Sequence, residues 1–113
     1  MDLSSHFYSQ NICYNIYVDS TEGNDLNSGT EVTLPWKTLH KVNTSNFRPG
    51  DTISLQQGKI WYEQLTPPSS GDSNNPIVIT SYGSGVKPII NGSDLRSHTL
   101  YISGKHDITI SNI

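Results

Sequence analysis

A chain of 113 residues, 33% hydrophobic and 15% charged, has room for one domain and little apolar material for a thick closed core. Its formal net charge is -3, with Lys37, Lys41, Arg48, Lys59, Lys87, Arg96 and Lys105 dispersed along it, so no basic stripe is present to neutralise phosphates and no nucleic acid partner is expected. No apolar run approaches the roughly 18 residues of a membrane span, which argues against membrane insertion, and the single Cys13 has no internal disulfide partner.

Residues 1–14 have no sustained period and read as a loose leader. Met1-Asp2-Leu3-Ser4-Ser5-His6-Phe7 has neither a basic nor an apolar region, so no signal peptide is visible. Asn15-Ile16-Tyr17-Val18-Asp19 alternates as a first strand, with Ile16 and Val18 on one face and Tyr17 on the other. A polar loop then runs from Ser20 to Thr33. Loops longer than about 12 residues are functional or are fixed by side-chain hydrogen bonds. Asp19, Glu22, Asp25 and Asn27 gather oxygen donors there, and Ca²⁺ takes about six to eight such ligands. The spacing departs from the EF-hand pattern, and Asx turns that cap backbone N–H groups are the competing reading.

A short helix is predicted next. Thr33 would cap it, Pro35 would sit in its first turn, and Trp36, Leu39 and Val42 would form one apolar stripe over two to three turns. Asn43-Thr44-Ser45-Asn46 ends it. Asn43-Thr44-Ser45 and Asn91-Gly92-Ser93 are glycosylation sequons, relevant only in a eukaryotic secretory route.

From Gly50 onward the chain makes brief strands separated by turn residues. Thr52-Ile53-Ser54-Leu55, Ile77-Val78-Ile79-Thr80, Leu100-Tyr101-Ile102-Ser103 and Asp107-Ile108-Thr109-Ile110 are the clearest, and Ile53, Ile77 and Ile102 recur at the roughly 25-residue interval that one turn of a stacked solenoid consumes. Ile60-Trp61-Tyr62-Glu63-Gln64-Leu65 and Val86-Lys87-Pro88-Ile89-Ile90 supply further strands. Turn punctuation falls at Pro67 to Gly71, Asn74-Asn75-Pro76, Tyr82-Gly83-Ser84-Gly85, Asn91-Gly92 and Ser103-Gly104. The alternative, an antiparallel sandwich, needs many two-residue hairpins, and only Asn91-Gly92 offers one.

Tyr17-Val18-Asp19, Gly23-Asn24-Asp25, Ser28-Gly29-Thr30, Pro35-Trp36-Lys37-Thr38-Leu39, Pro49-Gly50-Asp51-Thr52-Ile53, Gly58 with Trp61, Asn75-Pro76-Ile77, Tyr82-Gly83 and Lys87 to Gly92 together resemble the amino-terminal entry of the pectate-lyase-like superfamily. That resemblance implies an all-β, right-handed parallel β-helix (solenoid), truncated here, with a short N-terminal capping α-helix. Residues 1–14 would be the leader, 15–48 the cap and 49–113 the first coils, with the remainder of the β-helix following C-terminally. It also implies an extracellular or cell-surface, carbohydrate-active protein of polysaccharide lyase or glycoside hydrolase type, with polysaccharide as the partner and the catalytic coils outside this chain. A non-catalytic carbohydrate-binding or adhesin-like solenoid is the alternative.

The residues themselves assign no catalytic group, no substrate-binding group and no metal ligand. His6, His40, His98 and His106 lack an i, i+4 pair, though His98 and His106 flank one strand. Asp94, Arg96 and Asp107 are charges on the last coil with no fixed geometry, and Ser69, Ser70 and Cys13 lack a nucleophile motif. Trp61, Tyr62, Tyr82 and Tyr101 are the aromatic groups that could stack on a sugar, and Trp61 could equally be a core residue. Calcium is the one cofactor candidate.

Overall fold

Alternation of β-branched residues with polar ones produces strands whose apolar faces all turn the same way. The computed structural model describes residues 13–67, 69–91, 105–106 and 108–113. Its elements in chain order are β1 (Asn15–Val18), α1 (Leu39–Asn43), β2 (Thr52–Gln56), β3 (Ile60–Trp61), β4 (Ile77–Tyr82), β5 (Ile89–Ile90) and β6 (Ile108–Ile110). One sheet has the order β1-β2-β4-β6 and a second pairs β3 with β5. Every strand pairing among the described residues is parallel, so the antiparallel sandwich does not describe them.

The register sets the core. Ile16, Ile53, Ile79 and Ile110 lie in one row across the four-stranded sheet, and Val18 and Leu55 lie in the next. Val18, Ile53, Leu55 and Ile79 are fully buried. Leu39, Val42, Trp61 and Leu65 close over them, and Phe47, Ile90, Ile108 and Ile113 pack at the margin. Each such side chain withdrawn from water contributes on the order of 1.5–3 kcal/mol.

A tight turn aligns the first two strands. Gly50 has φ 94, a left-handed conformation that a side chain disfavours. Asp51, buried behind it, accepts the Tyr14 N–H at 2.9 Å and the Arg48 N–H at 2.9 Å. Two backbone donors therefore satisfy a buried carboxylate, and the entries of β1 and β2 are tied to each other.

The expected truncated solenoid with a helical cap is corrected by these observations. Among the described residues the strands form two parallel sheets of a small domain, the second built only from two-residue strands. The polar stretches between strands spend their hydrogen bonds locally: Asp72 Oδ1, for example, accepts the N–H groups of Asn74 and Asn75 in an Asx turn instead of extending a ladder.

The helical prediction fails at a definite point. Trp36 is not in a helix but forms an extended bridge to Val18, exchanging hydrogen bonds with β1 through Trp36 N to Tyr17 O and Asp19 N to Trp36 O, both 2.8 Å. Among the described residues only five, Leu39–Asn43, are helical, and Thr38 rather than Thr33 is their N-cap. An element this short cannot stand as a cap for a stack of strands.

The strand repeat also shifts. Ile53 faces Ile79 rather than Ile77, and β4 pairs with β2 on one side and β6 on the other. The expected strand at Leu100–Ser103 lies outside the described residues. No described helix is long and apolar enough to cross a membrane.

Candidate functional site

The polar loop that offered oxygen ligands is a hydrogen-bonded frame. Asp19, 7% exposed, accepts the N–H groups of Thr21 at 2.9 Å and Glu22 at 3.1 Å through Oδ1, and the same oxygen lies 3.8 Å from Lys59 Nζ. Asn27 donates Nδ2 to Pro35 O at 2.8 Å, while its own carbonyl accepts Trp36 Nε1 at 2.9 Å. Glu22 is exposed. Among the described residues no group of three or more His, Cys, Asp or Glu side chains is placed to hold a metal ion.

Asp25 has a distinct task at the start of α1. Its carboxylate accepts the Lys37 N–H at 2.8 Å, the Thr38 N–H at 2.9 Å and the Thr38 hydroxyl at 2.6 Å. Thr38 Oγ1 in turn accepts the Lys41 N–H at 3.0 Å. Glu63 completes the helix entry by accepting the Leu39 and His40 N–H groups at 3.1 and 2.8 Å. Together these carboxylates occupy backbone donors that a short helix leaves free.

Burial alone would raise the pKa of Asp25. The Thr38 hydroxyl, the Thr38 and Lys37 backbone donors and the nearby Lys41 charge outweigh it and hold the group below its ordinary value. Because the folded pKa lies below the unfolded one, the stabilisation is complete above about pH 4 and is lost as pH falls through the folded value. Asp25→Asn is expected to cost about 1 kcal/mol at pH 7, the scale of a lost cap. The gap from wild type should close as pH falls below about 4. Urea unfolding of both proteins at pH 7 and pH 3 measures it, and an equal gap at the two pH values would contradict the assignment.

The remaining sequence candidates are scattered. His40 and His106 are exposed on separate segments, and His6, His98, Asp94, Arg96, Asp107 and Tyr101 lie outside the described residues. Ser69 Oγ accepts the Phe47 N–H at 3.0 Å and Ser70 Oγ accepts the His106 N–H at 3.1 Å, so both hydroxyls fasten backbone. Cys13 is an exposed free thiol. Asn43, the acceptor of one sequon, donates Nδ2 to Gln64 O and accepts the Thr66 N–H.

Of the aromatic candidates, Trp61 is 2% exposed and donates Nε1 to Lys37 O at 2.9 Å, which makes it a core residue. Tyr62 is 71% exposed. Tyr82 has a partner that sequence reasoning passed over: its ring centroid lies 5.0 Å from that of Tyr17, at an interplanar angle of 73°.

This pair occupies the outward face of the four-stranded sheet. Tyr17, Ser54 and Thr80 share one row across β1, β2 and β4, and Gln56 and Tyr82 share another. Strands two apart in a sheet are separated by about 9–10 Å, so rings that meet at 5.0 Å lean toward each other over β2. Ser54 beneath them is small and buried. Gln56 is kept beside the pair because Gly83 leaves it space: a Cβ there would come within 2.2 Å of Gln56 Nε2.

Burial, the negative Asp19 and then Tyr17 push the Tyr82 hydroxyl up to about 12, so it stays protonated and able to donate at neutral pH. At the far side of the row, Ser111 Oγ lies 3.2 Å from Thr80 Oγ1, with Asn112 Nδ2 at 3.5 Å. The face thus carries two half-buried aromatic rings, hydroxyls and amides, and no uncompensated charge among the groups named.

No family profile matches the chain. A curated relative, the lacto-N-biosidase of Bifidobacterium longum subsp. longum, is 36% identical over 86 residues, which is 71% of this chain and 5% of that protein. Crystal structures of a GH136 lacto-N-biosidase from Eubacterium ramulus superpose with a TM-score of 0.80 for the selenomethionine derivative and 0.79 for the native protein, at 24% identity, covering 96% of this chain and 21% of theirs. The chain therefore spans only a small part of the relatives it matches. These relatives correct the pectate-lyase-like resemblance: the similarity is to lacto-N-biosidases, and the motifs that suggested the other superfamily are turn and strand signals, which fix local structure and not a family.

Proposed function

We propose that the protein is a glycoside hydrolase of the lacto-N-biosidase kind, to which this chain contributes a two-sheet supporting domain. The observation that carries the reading is the 36% identity over 86 residues with a lacto-N-biosidase. The fold likeness to a second such enzyme supports it.

The chemistry divides accordingly. Glycoside hydrolysis ordinarily uses a pair of carboxyl groups on either side of the scissile bond. In this chain Asp19, Asp25, Asp51, Glu63 and Asp72 are occupied with backbone N–H groups, and a carboxylate fixed as a hydrogen-bond acceptor is poorly suited to proton transfer. We assign these five to scaffolding and place bond cleavage on other carboxyl groups of the enzyme.

The test is to supply the protein that carries this chain with a tetrasaccharide ending in lacto-N-biose and to follow products by chromatography. Release of the intact disaccharide is expected. No release from that substrate, nor from a panel of other neutral oligosaccharides, would overturn the reading. Saturable glycan binding without any product would favour a non-catalytic binding protein, a reading the outward tyrosine pair also suits.

A further inference from the structure

We infer that the outward face of the four-stranded sheet is a saccharide-binding surface, on which Tyr17 and Tyr82 support one neutral pyranose ring while Gln56 and Thr80 hydrogen-bond its hydroxyls. The inference rests on the oligosaccharide reading above and adds a position and a ligand class to it.

Four observations converge on this face. The tyrosines are 65 positions apart in sequence and meet only because the parallel register brings β1 and β4 to either side of β2. Both rings remain partly accessible, although two apolar rings in contact would ordinarily be placed in a core that needs them. Aromatic surfaces with a polar tip suit a ligand that is apolar on its C–H faces and polar at its edge. Gln56 and Thr80, in the same two rows as the tyrosines, supply an amide and a hydroxyl that both donate and accept.

Charge selects the ligand class. Asp19 is the acidic group that acts on Tyr82, and it is compensated by Thr21, Glu22 and Lys59. Because Lys59 is already engaged with Asp19, none of these groups offers a cation to pair with a ligand carboxylate. Neutral sugars are therefore favoured over uronates. The face is also distinct from the exposed Tyr62, Ile60 and Ile89 on and beside the small sheet.

The experiment is an NMR titration of the 113-residue chain, labelled at its tyrosine rings, with lacto-N-biose and separately with digalacturonate. Lacto-N-biose is expected to shift the Tyr17 and Tyr82 resonances and to leave Tyr62 in place, with digalacturonate binding at least about 10-fold more weakly, a difference of about 1.4 kcal/mol. Tyr17→Ala should weaken lacto-N-biose binding about 10-fold or more, Tyr82→Phe about 2- to 10-fold through the lost hydroxyl, and Tyr62→Ala not at all.

If Tyr17→Ala fails to fold, Tyr17→Phe and the wild-type shift pattern carry the test. Unmoved Tyr17 and Tyr82 resonances at millimolar lacto-N-biose, equal binding of the acidic disaccharide, or undiminished binding by folded Tyr17→Ala would each overturn the inference. Disaccharide release by the whole protein with a silent tyrosine face would sink this site and leave the hydrolase reading intact. Binding at the tyrosines without hydrolysis would do the reverse.

Discussion

Trp61→Ala is expected to destabilise the domain by about 3–5 kcal/mol, the range for removing a large aromatic side chain from a core. Trp61 is 2% exposed and belongs to a strand of only two residues, so its side chain, more than the ladder, holds β3 in place. Its indole also ties two distant segments through the 2.9 Å bond to Lys37 O, immediately before the residues that start α1. Trp61→Phe separates the two contributions. It retains much of the apolar area but leaves the Lys37 carbonyl without that donor, a loss of about 1–3 kcal/mol. For a domain whose total stability is about 5–15 kcal/mol, the alanine variant should lose a large fraction of it. Urea denaturation of the three proteins provides the measurement. A cost below about 1 kcal/mol for alanine would mean that the tryptophan is not part of the core.

Gly23→Ala is the second large effect, and it works through backbone. A Cβ at this position would lie 2.1 Å from Trp36 O, 2.4 Å from Asp19 O and 2.6 Å from Trp36 C. None of these is the end of a flexible side chain. The Trp36 carbonyl that must give way accepts the Asp19 N–H at 2.8 Å, and the Asp19 carbonyl accepts the Gly23 N–H at 2.9 Å. Adding one methyl group therefore pushes apart the bridge that fastens Trp36 to β1. A cost of about 1–3 kcal/mol is expected from overpacking, with the lost hydrogen bonds adding to it. Gly58→Ala is the comparison: nothing lies within 4 Å of its Cβ position, but its φ of +82 still disfavours a side chain by about 1–2 kcal/mol. Thermal melts should rank Gly23→Ala as the more damaging, with Trp36 fluorescence altered only in that variant. Equal melts would show that the frame around Trp36 relaxes without loss.

The sequence carried the strands well because their signal is local. Ile16 and Val18 alternate with Asn15 and Tyr17, and the inward residues of β1 are those two. It carried the register less well. Ile77 and Ile79 both face inward, so a shift of two residues preserves the buried face and the pattern cannot choose between them. The polar loop was legible as a segment either functional or fixed by its own side chains, and Asp19, Asn24 and Asn27 hydrogen-bond within it.

The helix was misread for a physical reason. Trp36, Leu39 and Val42 are all buried, but for different causes: Trp36 through its extended bridge to Val18, the other two through one helical turn. A three-residue spacing of apolar groups cannot distinguish these origins. Tyr17 was read on the face opposite Ile16 and Val18, as the burial of β1 has it, yet nothing local announces its partner. Tyr82 becomes its neighbour only when β1, β2 and β4 are laid side by side, which is a non-local fact. The similarity to a lacto-N-biosidase, 36% identity over 86 residues, likewise emerges only when the chain is set beside another protein.

The proposed site depends on the parallel row that places Tyr17, Ser54 and Thr80 on one outward face. Cross-strand nuclear Overhauser contacts measure that row directly. The expected result is contacts between the Tyr17 and Tyr82 rings, together with backbone contacts joining Tyr17 to Ser54 and Ser54 to Thr80. A pattern displaced by one residue, with Tyr17 opposite Ile53, would turn one of the rings into the core and contradict the account.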